Sequence, residues 1–421
     1  MKERMRVKKI AVDGYKNLRN CVADFTKFNV LVGPNNSGKS NFLELFTFTN
    51  AVIYASDQFR KEIFENGIAP RGDSVVCSVD MEGYGTCRPI KINFLIENIV
   101  NGHNWDINYQ FEIQCKYYGE PKNLKRKDIG FIREELTLKD TKKTGRAVTL
   151  IRRDRDIMMV RNKANNLTHQ KIGPFNSCLQ IVPSIYPNFE GLDGGFPIAF
   201  NGIDKLTDTR IISLSPENLR EKMGSKSDLD SMKVTAFDLP NEVAKIHKNR
   251  SLFKEFKNAL CQILDLEDLN LSSAETSKDN RSKKKKVVHF LELKMTNQPY
   301  GLISDFSDGT FMVAAILTFI LSPDRKGFLI GIEEPENYLH PKALRTLISY
   351  LKQKSNDVQF IMTTHSTYLL NNVSPEDVII SRIRKHGATF ERIRNIRELR
   401  KRLARGFVSF GDLLDVDFQQ D

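Results

Sequence analysis

Gly33-Pro34-Asn35-Asn36-Ser37-Gly38-Lys39-Ser40 fits G-x-x-x-x-G-K-[ST], the pattern of a loop that cradles phosphate. Its glycines let the backbone curl so that successive N–H groups face phosphate oxygens, and a helix starting behind it adds a positive dipole end. Lys39 would reach the β- and γ-phosphates of a nucleotide, and the Ser40 hydroxyl would ligate Mg²⁺. Three distant segments carry complementary chemistry. Phe328 to Glu336 is an apolar run closing in carboxylates, with Glu333 placed to hold Mg²⁺ and Glu334 to take a proton from an attacking water. Val358 to Ser366 ends in His365, about thirty residues on, the spacing of one β-α-β unit, which puts His365 beside Glu334. Ser307-Asp308-Gly309-Thr310 opens the apolar run Phe311 to Leu321, and Ser307 with Gly309 would make a second anion-binding helix start. Such a second site suits a nucleotide bound to another subunit.

Elements that must position these groups are legible in the hydrophobic pattern. Phe28 to Val32 reads as a buried strand into the loop, and Asn41 to Phe46 as the first turns of the helix after it. Val7–Val12 and Asn20–Phe25 alternate as a half-exposed antiparallel pair, and the helix runs to about Asn50 with a second near Asp57–Asn66. Val75–Met81, Ile90–Glu97 and Trp105–Cys115 read as further antiparallel strands. Ala147–Ile151 and Ile157–Arg161 read as a hairpin. Residues 172–230, rich in Gly, Pro, Asn and Ser, suggest an irregular insertion. Val243, Ile246, Phe253, Phe256, Leu260, Ile263 and Leu264 share a helical stripe between Pro240 and Leu266 that reads as core packing. Strands at Asp268–Ser272 and Val287–Met295 flank a loop holding Lys283 to Lys286. Ile380–Arg405 carries ten Lys/Arg against two Glu and reads as a basic amphipathic helix, open to three uses: contacting DNA, docking a partner or capping the core.

Composition sets the class. A hydrophobic share of 40% and a charged share of 28% over 421 residues exclude wholesale disorder. The net charge of +12 favours an anionic partner such as nucleic acid. Between Lys116 and Lys171 sixteen Lys/Arg face seven Asp/Glu, fitting either phosphate-backbone contact or a solvated arm. Six scattered cysteines without a C-x-x-C pair read as reduced thiols, and the charged start Met1 to Arg6 does not resemble a signal peptide. The longest apolar run is about half a membrane span, so the expectation is a soluble cytoplasmic protein with no membrane partner.

In this order, Gly33–Ser40, Ser307–Thr310, Glu333-Glu334 with Pro335 to Pro341, and Thr364-His365-Ser366 resemble the Walker A, signature, Walker B with D-loop, and switch-histidine motifs of ABC-type ATPases. More narrowly, S-D-G-T and E-E-P-E-x-x-L-H-P resemble the SMC/RecF/OLD-like branch, AAA-family ATPases of the AbiEii or OLD type, which includes anti-phage and DNA-repair proteins. The resemblance implies an α/β fold: an ABC-type P-loop core with a mixed sheet, N-terminal antiparallel strands and an inserted arm. It implies ATP and Mg²⁺ as cofactors, with Gly33, Asn35, Asn36, Ser37, Gly38, Lys39, Ser40 and Asn41 holding the nucleotide. Ser307 and Gly309 would close on it from a second copy, Ser40 and Glu333 would hold the metal, and Glu334, His365 and Lys39 would be catalytic. Gln110 and Gln114 are the candidates for a magnesium-sensing glutamine. Residue 333 is Glu where many relatives have Asp, no long heptad region indicates a coiled coil, and about forty residues after 380 are too few for a nuclease domain.

The organisation expected is a first ATPase half over 1–115, an inserted basic, irregular arm over 116–230, a second half over 231–380 and a basic tail over 381–421. The function expected is ATP hydrolysis by a homodimer or higher oligomer that engages DNA as sensor or regulator in a defence or repair system. The alternative is a nucleotide-gated scaffold for a separate effector, a nuclease or toxin, without DNA binding.

Overall fold

The computed structural model describes residues 3–66, 88–115, 129–223, 233–275, 287–323, 327–384, 387–404 and 409–412. The N-terminal part comprises β1 (Arg4–Asp13), β2 (Cys21–Asp24), β3 (Phe28–Val32), α1 (Lys39–Tyr54), α2 (Asp57–Asn66), β4 (Ile90–Val100) and β5 (His103–Gln114). β6 (Gly130–Asp140), β7 (Val148–Asp154), β8 (Ile157–Arg161) and β9 (Leu167–Lys171) follow, then α3 (Cys178–Ile185), α4 (Phe196–Thr207), β10 (Arg210–Ile212) and α5 (Pro216–Glu221). The remainder starts with β11 (Lys233–Val234), α6 (Leu239–His247), α7 (Arg250–Leu264), β12 (Leu266–Glu275), β13 (Val287–Met295), β14 (Tyr300–Leu302) and α8 (Asp308–Leu321). It continues through β15 (Leu329–Glu333), α9 (Pro341–Lys354), β16 (Gln359–Thr364), α10 (Thr367–Leu370), β17 (Val378–Arg384), β18 (Gly387–Arg392) and α11 (Ile396–Ala404).

Two large sheets organise these elements. One is antiparallel, in the order β2-β1-β4-β5-β6-β7-β8-β9. The other runs β11-β10-β15-β16-β3-β17-β18 and is parallel except for the β17–β18 pair. Period-two alternation divides the parallel strands between two cores. Leu31, Leu329 and Ile361 face the core shared with α1 and the antiparallel sheet. Val30, Val32, Ile330, Ile332, Phe360 and Met362 face the core that contains α8. Helix α8 is apolar on every side, and every residue from Phe311 to Leu321 is buried, as expected for a helix inside a core. Phe42, Leu43, Leu45, Phe46 and Phe48 of α1 are likewise buried between the sheets.

The mixed α/β architecture with an antiparallel N-terminal layer is the expected one. Several local expectations are corrected. Residues 172–230 are not irregular throughout. Ser177 caps α3 through Leu179 N, and Phe196, Ala199, Phe200, Ile203 and Leu206 bury one face of α4. Beyond them β10 enters the parallel sheet beside β15, because Ile211 and Ile212 pair with Gly331 and Ile332. The Pro240–Leu266 stripe belongs to two helices divided at Asn249, whose side chain caps α7. Ile380–Arg405 is a strand pair followed by a nine-residue helix, since buried Val378, Ile379 and Ile380 pair β17 with β3. Ile393, Leu399 and Leu403 of this tail pack on the α8 core, so the tail caps it. The expected strand Val75–Met81 and the lysines Lys283 to Lys286 lie outside the described residues. Cys21, Cys115, Cys178 and Cys261 are not joined in disulfides.

Candidate active site

Strand β3, buried at all five positions, delivers the chain to the loop at Gly33–Ser40. Two left-handed residues shape it, Asn36 at φ 63° and Gly38 at φ 90°. Gly38 is demanded by space as well as dihedral: a Cβ there would lie 2.9 Å from Asn17 Oδ1 and from Leu18 Cδ2. Asn35, Asn36 and Ser40 are exposed, whereas Ser37 and Lys39 are buried. Lys39 Nζ donates to Gly33 O and Pro34 O, both at 2.8 Å, so the loop's own carbonyls hold the ammonium. Burial pushes its pKa down to about 8, against the opposing pull of Glu334 and Glu336.

Two neighbours of the loop lie far away in sequence. Asn17, in the turn between β1 and β2, donates to Asn36 O at 2.8 Å and accepts from Asn41 Nδ2 at 2.9 Å. Ser381 of β17 is fully buried and donates through Oγ to Ser37 O at 2.5 Å. Neither residue belongs to a recognisable motif, and sequence reasoning missed both.

The carboxylates come from β15. Register sets Glu333 beside Thr363 of β16 and Thr363 beside Leu31 of β3. Two strand spacings therefore put Glu333 about 10 Å from the end of the loop strand. Lys233 Nζ lies 2.5 Å from Glu333 Oε2, and both side chains are largely buried. Glu334 has φ 48°, a left-handed conformation for a non-glycine residue that costs on the order of 1–3 kcal/mol. Its amide donates to Thr363 O and its Oε2 accepts from Asn337 Nδ2, which holds the carboxylate in that conformation. His365 Nε2 is 3.7 Å from Glu334 Oε1. Burial first, and the charge of Lys39 second, lower the imidazole's pKa, while Glu334 raises it. Glu336 also acts locally, accepting from Thr364 Oγ1 at 2.6 Å and from His365 N at 3.1 Å, and burial raises its pKa. It ties the end of β16 to the turn after β15, an orienting contact that sequence reasoning also missed.

Ser307 caps α8 through Thr310 N and is exposed, as is Asp308. Gly309 permits close approach to the turn after β15, since a Cβ there would sit 2.5 Å from Tyr338 O. The candidate metal donors suit Mg²⁺, a hard cation that takes oxygen ligands and keeps several waters. The Ser40 hydroxyl is exposed on the first turn of α1 and Glu333 adds a carboxylate. Among the described residues no group of three or more His, Cys, Asp or Glu could hold a metal. Gln110 and Gln114 bond within the antiparallel layer, Gln110 to Asn93 and Glu135, and Gln114 to Cys115 O.

Comparison with known proteins agrees with this architecture. Residues 5–173 match a family model described as "AAA ATPase domain". Residues 189–371 match one described as "AAA domain, putative AbiEii toxin, Type IV TA system". No curated protein matches the sequence. Among solved structures, an SMC head bound to the C-winged helix domain of ScpA aligns at 12% identity and TM-score 0.50, covering 94% of this chain and 99% of that one. An SMC head with an extended coiled coil, bound to the C-terminal domain of ScpA and derived from Pyrococcus furiosus, aligns at 12% identity and TM-score 0.45 over 96% and 99%. The Thermotoga maritima SMC head domain aligns at 12% identity and TM-score 0.43 over 92% and 99%.

Proposed function

With the chain standing among the AAA-type ATPases of the SMC/RecF/OLD-like branch, we propose that it hydrolyses ATP at a site shared between two copies. The observation that carries the reading is the convergence of Lys39, Glu334 and His365 at the ends of adjacent parallel strands, with His365 3.7 Å from Glu334. Lys39 leaves the carbonyls of Gly33 and Pro34 for the β- and γ-phosphates, and the N–H groups of Asn35 to Ser40 wrap them. Ser40 and Glu333 would hold Mg²⁺, which when bound would supply positive charge to the phosphate oxygens. Glu334 takes the proton of the attacking water, held in place by Asn337 and its own constrained backbone. His365, its pKa lowered, hydrogen-bonds the γ-phosphate and water as the neutral imidazole.

The exposed Ser307 and half-buried Gly309 of a second copy complete the site, pairing the chains head to tail. The net charge of +12 supports a nucleic-acid partner, and the branch supports a role as sensor or regulator in a defence or repair system. A second reading, a nucleotide-gated scaffold for an effector protein, draws on the tail: α11 seats its apolar residues on the core and turns Arg397, Lys401 and Arg402 outward, where an acidic protein would fit equally well.

The test is steady-state ATP hydrolysis with and without duplex DNA, using Lys39→Ala as the blank, beside the oligomeric state of Glu334→Gln with ATP and Mg²⁺. Turnover above the blank and an ATP-dependent dimer of Glu334→Gln are expected. A strictly monomeric Glu334→Gln at saturating ATP would refute the shared site. Stimulation by DNA favours the first reading, and turnover indifferent to DNA favours the scaffold.

A further inference from the structure

We propose that Arg220 is a positioning residue for the Ser307–Thr310 turn, setting the shape and charge with which that turn meets the triphosphate held by a second copy. This rests on the shared-site reading above. Arg220 lies in α5, a six-residue helix outside every motif. Its Nη1 donates to Ser304 O, and its Nη2 donates to Phe306 O at 3.0 Å and to Asp308 Oδ1 at 2.9 Å. The guanidinium also lies 5.0 Å from the centre of the Phe311 ring. These contacts run along the whole approach to α8, from Ser304 to the helix's first buried aromatic.

A planar fork with several fixed donors can bridge two carbonyls and a carboxylate while stacking on a ring, which a lysine cannot do. Two effects follow. The backbone leading to Ser307 is held, so its hydroxyl stays at the cap, 3.4 Å from Thr310 N and 3.1 Å from Thr310 Oγ1. Asp308 is also neutralised. Its carboxylate suits a helix start, but left unpaired it would repel a triphosphate approaching the same turn. With both Nη atoms committed to Ser304, Phe306 and Asp308, Arg220 acts on phosphate through the turn and not by contact.

The experiment uses the full chain with Glu334→Gln as parent. Sedimentation velocity gives the dissociation constant of the ATP-bound dimer, and a fluorescent ATP analogue gives the affinity of the single chain. Arg220→Gln is expected to weaken the dimer about tenfold while leaving single-chain affinity within about twofold, one added like charge facing the phosphates being the cause. Adding Asp308→Asn to Arg220→Gln is expected to recover most of that loss, a rescue that a merely structural role would not produce. An Arg220→Gln dimer as tight as the parent, or a loss of single-chain affinity in step with dimer loss, overturns the proposal. Amide hydrogen exchange over residues 303–311 separates this outcome from failure of the shared site. If the parent itself stays monomeric, the shared-site reading falls. Faster exchange in Arg220→Gln then still supports the clamp, and unchanged exchange removes it.

Discussion

Lys39 predicts a proton taken up with the nucleotide. In the free protein its pKa is pushed down to about 8 from the ordinary 10.5. That lowering corresponds to a penalty of roughly 3 kcal/mol on the charged form. Binding exchanges the carbonyls of Gly33 and Pro34 for phosphate oxygens, which restores the ammonium and raises its pKa again. At a pH of about 8 half of the free lysines are neutral, so about half a proton enters per nucleotide bound, rising to about nine-tenths one unit higher. Affinity should fall about tenfold per unit above that point. The terminal phosphate contributes little, because its last proton leaves near a pH of about 6. Calorimetric titrations in buffers of different ionisation enthalpy measure the uptake directly, with Lys39→Arg as a variant that stays charged throughout. Uptake that is flat with pH, or affinity constant up to a pH of about 9, would refute the reasoning. Folding responds with the opposite sign. The folded pKa lies below the unfolded one, so the unfolded chain binds more protons between about 8 and 10.5, and the nucleotide-free protein gains stability from this residue as pH rises through that window.

Two further predictions concern carboxylates, one buried and one half-buried. Glu134, 1% exposed, accepts from Tyr109 Oη, Ser177 Oγ and Cys178 N, which docks α3 on the antiparallel sheet. Glu134→Ala should cost about 3–5 kcal/mol by stranding those donors, read as a lower urea midpoint with nucleotide affinity retained in the folded fraction, and a loss under about 1 kcal/mol would contradict the assignment. Glu336→Ala should release His365 from its amide contact and slow turnover about 10- to 100-fold with ATP affinity within about twofold of normal, while an equal loss in both would show that Glu336 serves binding instead.

Much of this fold was legible because its central strands are short apolar runs bounded by unmistakable punctuation. Phe28–Val32 precedes a glycine loop, Leu329–Ile332 precedes carboxylates, and the length between β15 and β16 admits one helix and therefore a parallel pair. That spacing placed His365 next to Glu334, and they are neighbours in the structure. Other parts gave no local signal. β10 and β11 hold three and two residues, too few for any period to show, and their identity comes from pairing with β15 and with each other. The tail misled because its charge and its isoleucines satisfy a helical stripe, whereas pairing with β3 decides its first part. Asn17, Ser381, Lys233 and Arg220 reach the site through contacts between distant parts of the chain, and nothing in their immediate neighbours announces them.

The joining of Ser381 to Ser37 across 344 residues bears on how the protein is made. Synthesis at about 5–20 residues per second separates the appearance of the phosphate loop from that of β17 by roughly 20 to 70 s. For most of that interval β3, which ends up buried at every position, lacks both of its sheet neighbours, β16 and β17. A nascent chain would thus carry a nucleotide motif without a nucleotide site. Its apolar central strand would lack the sheet partners that finally flank it, a window in which a chaperone is better matched to it than ATP is.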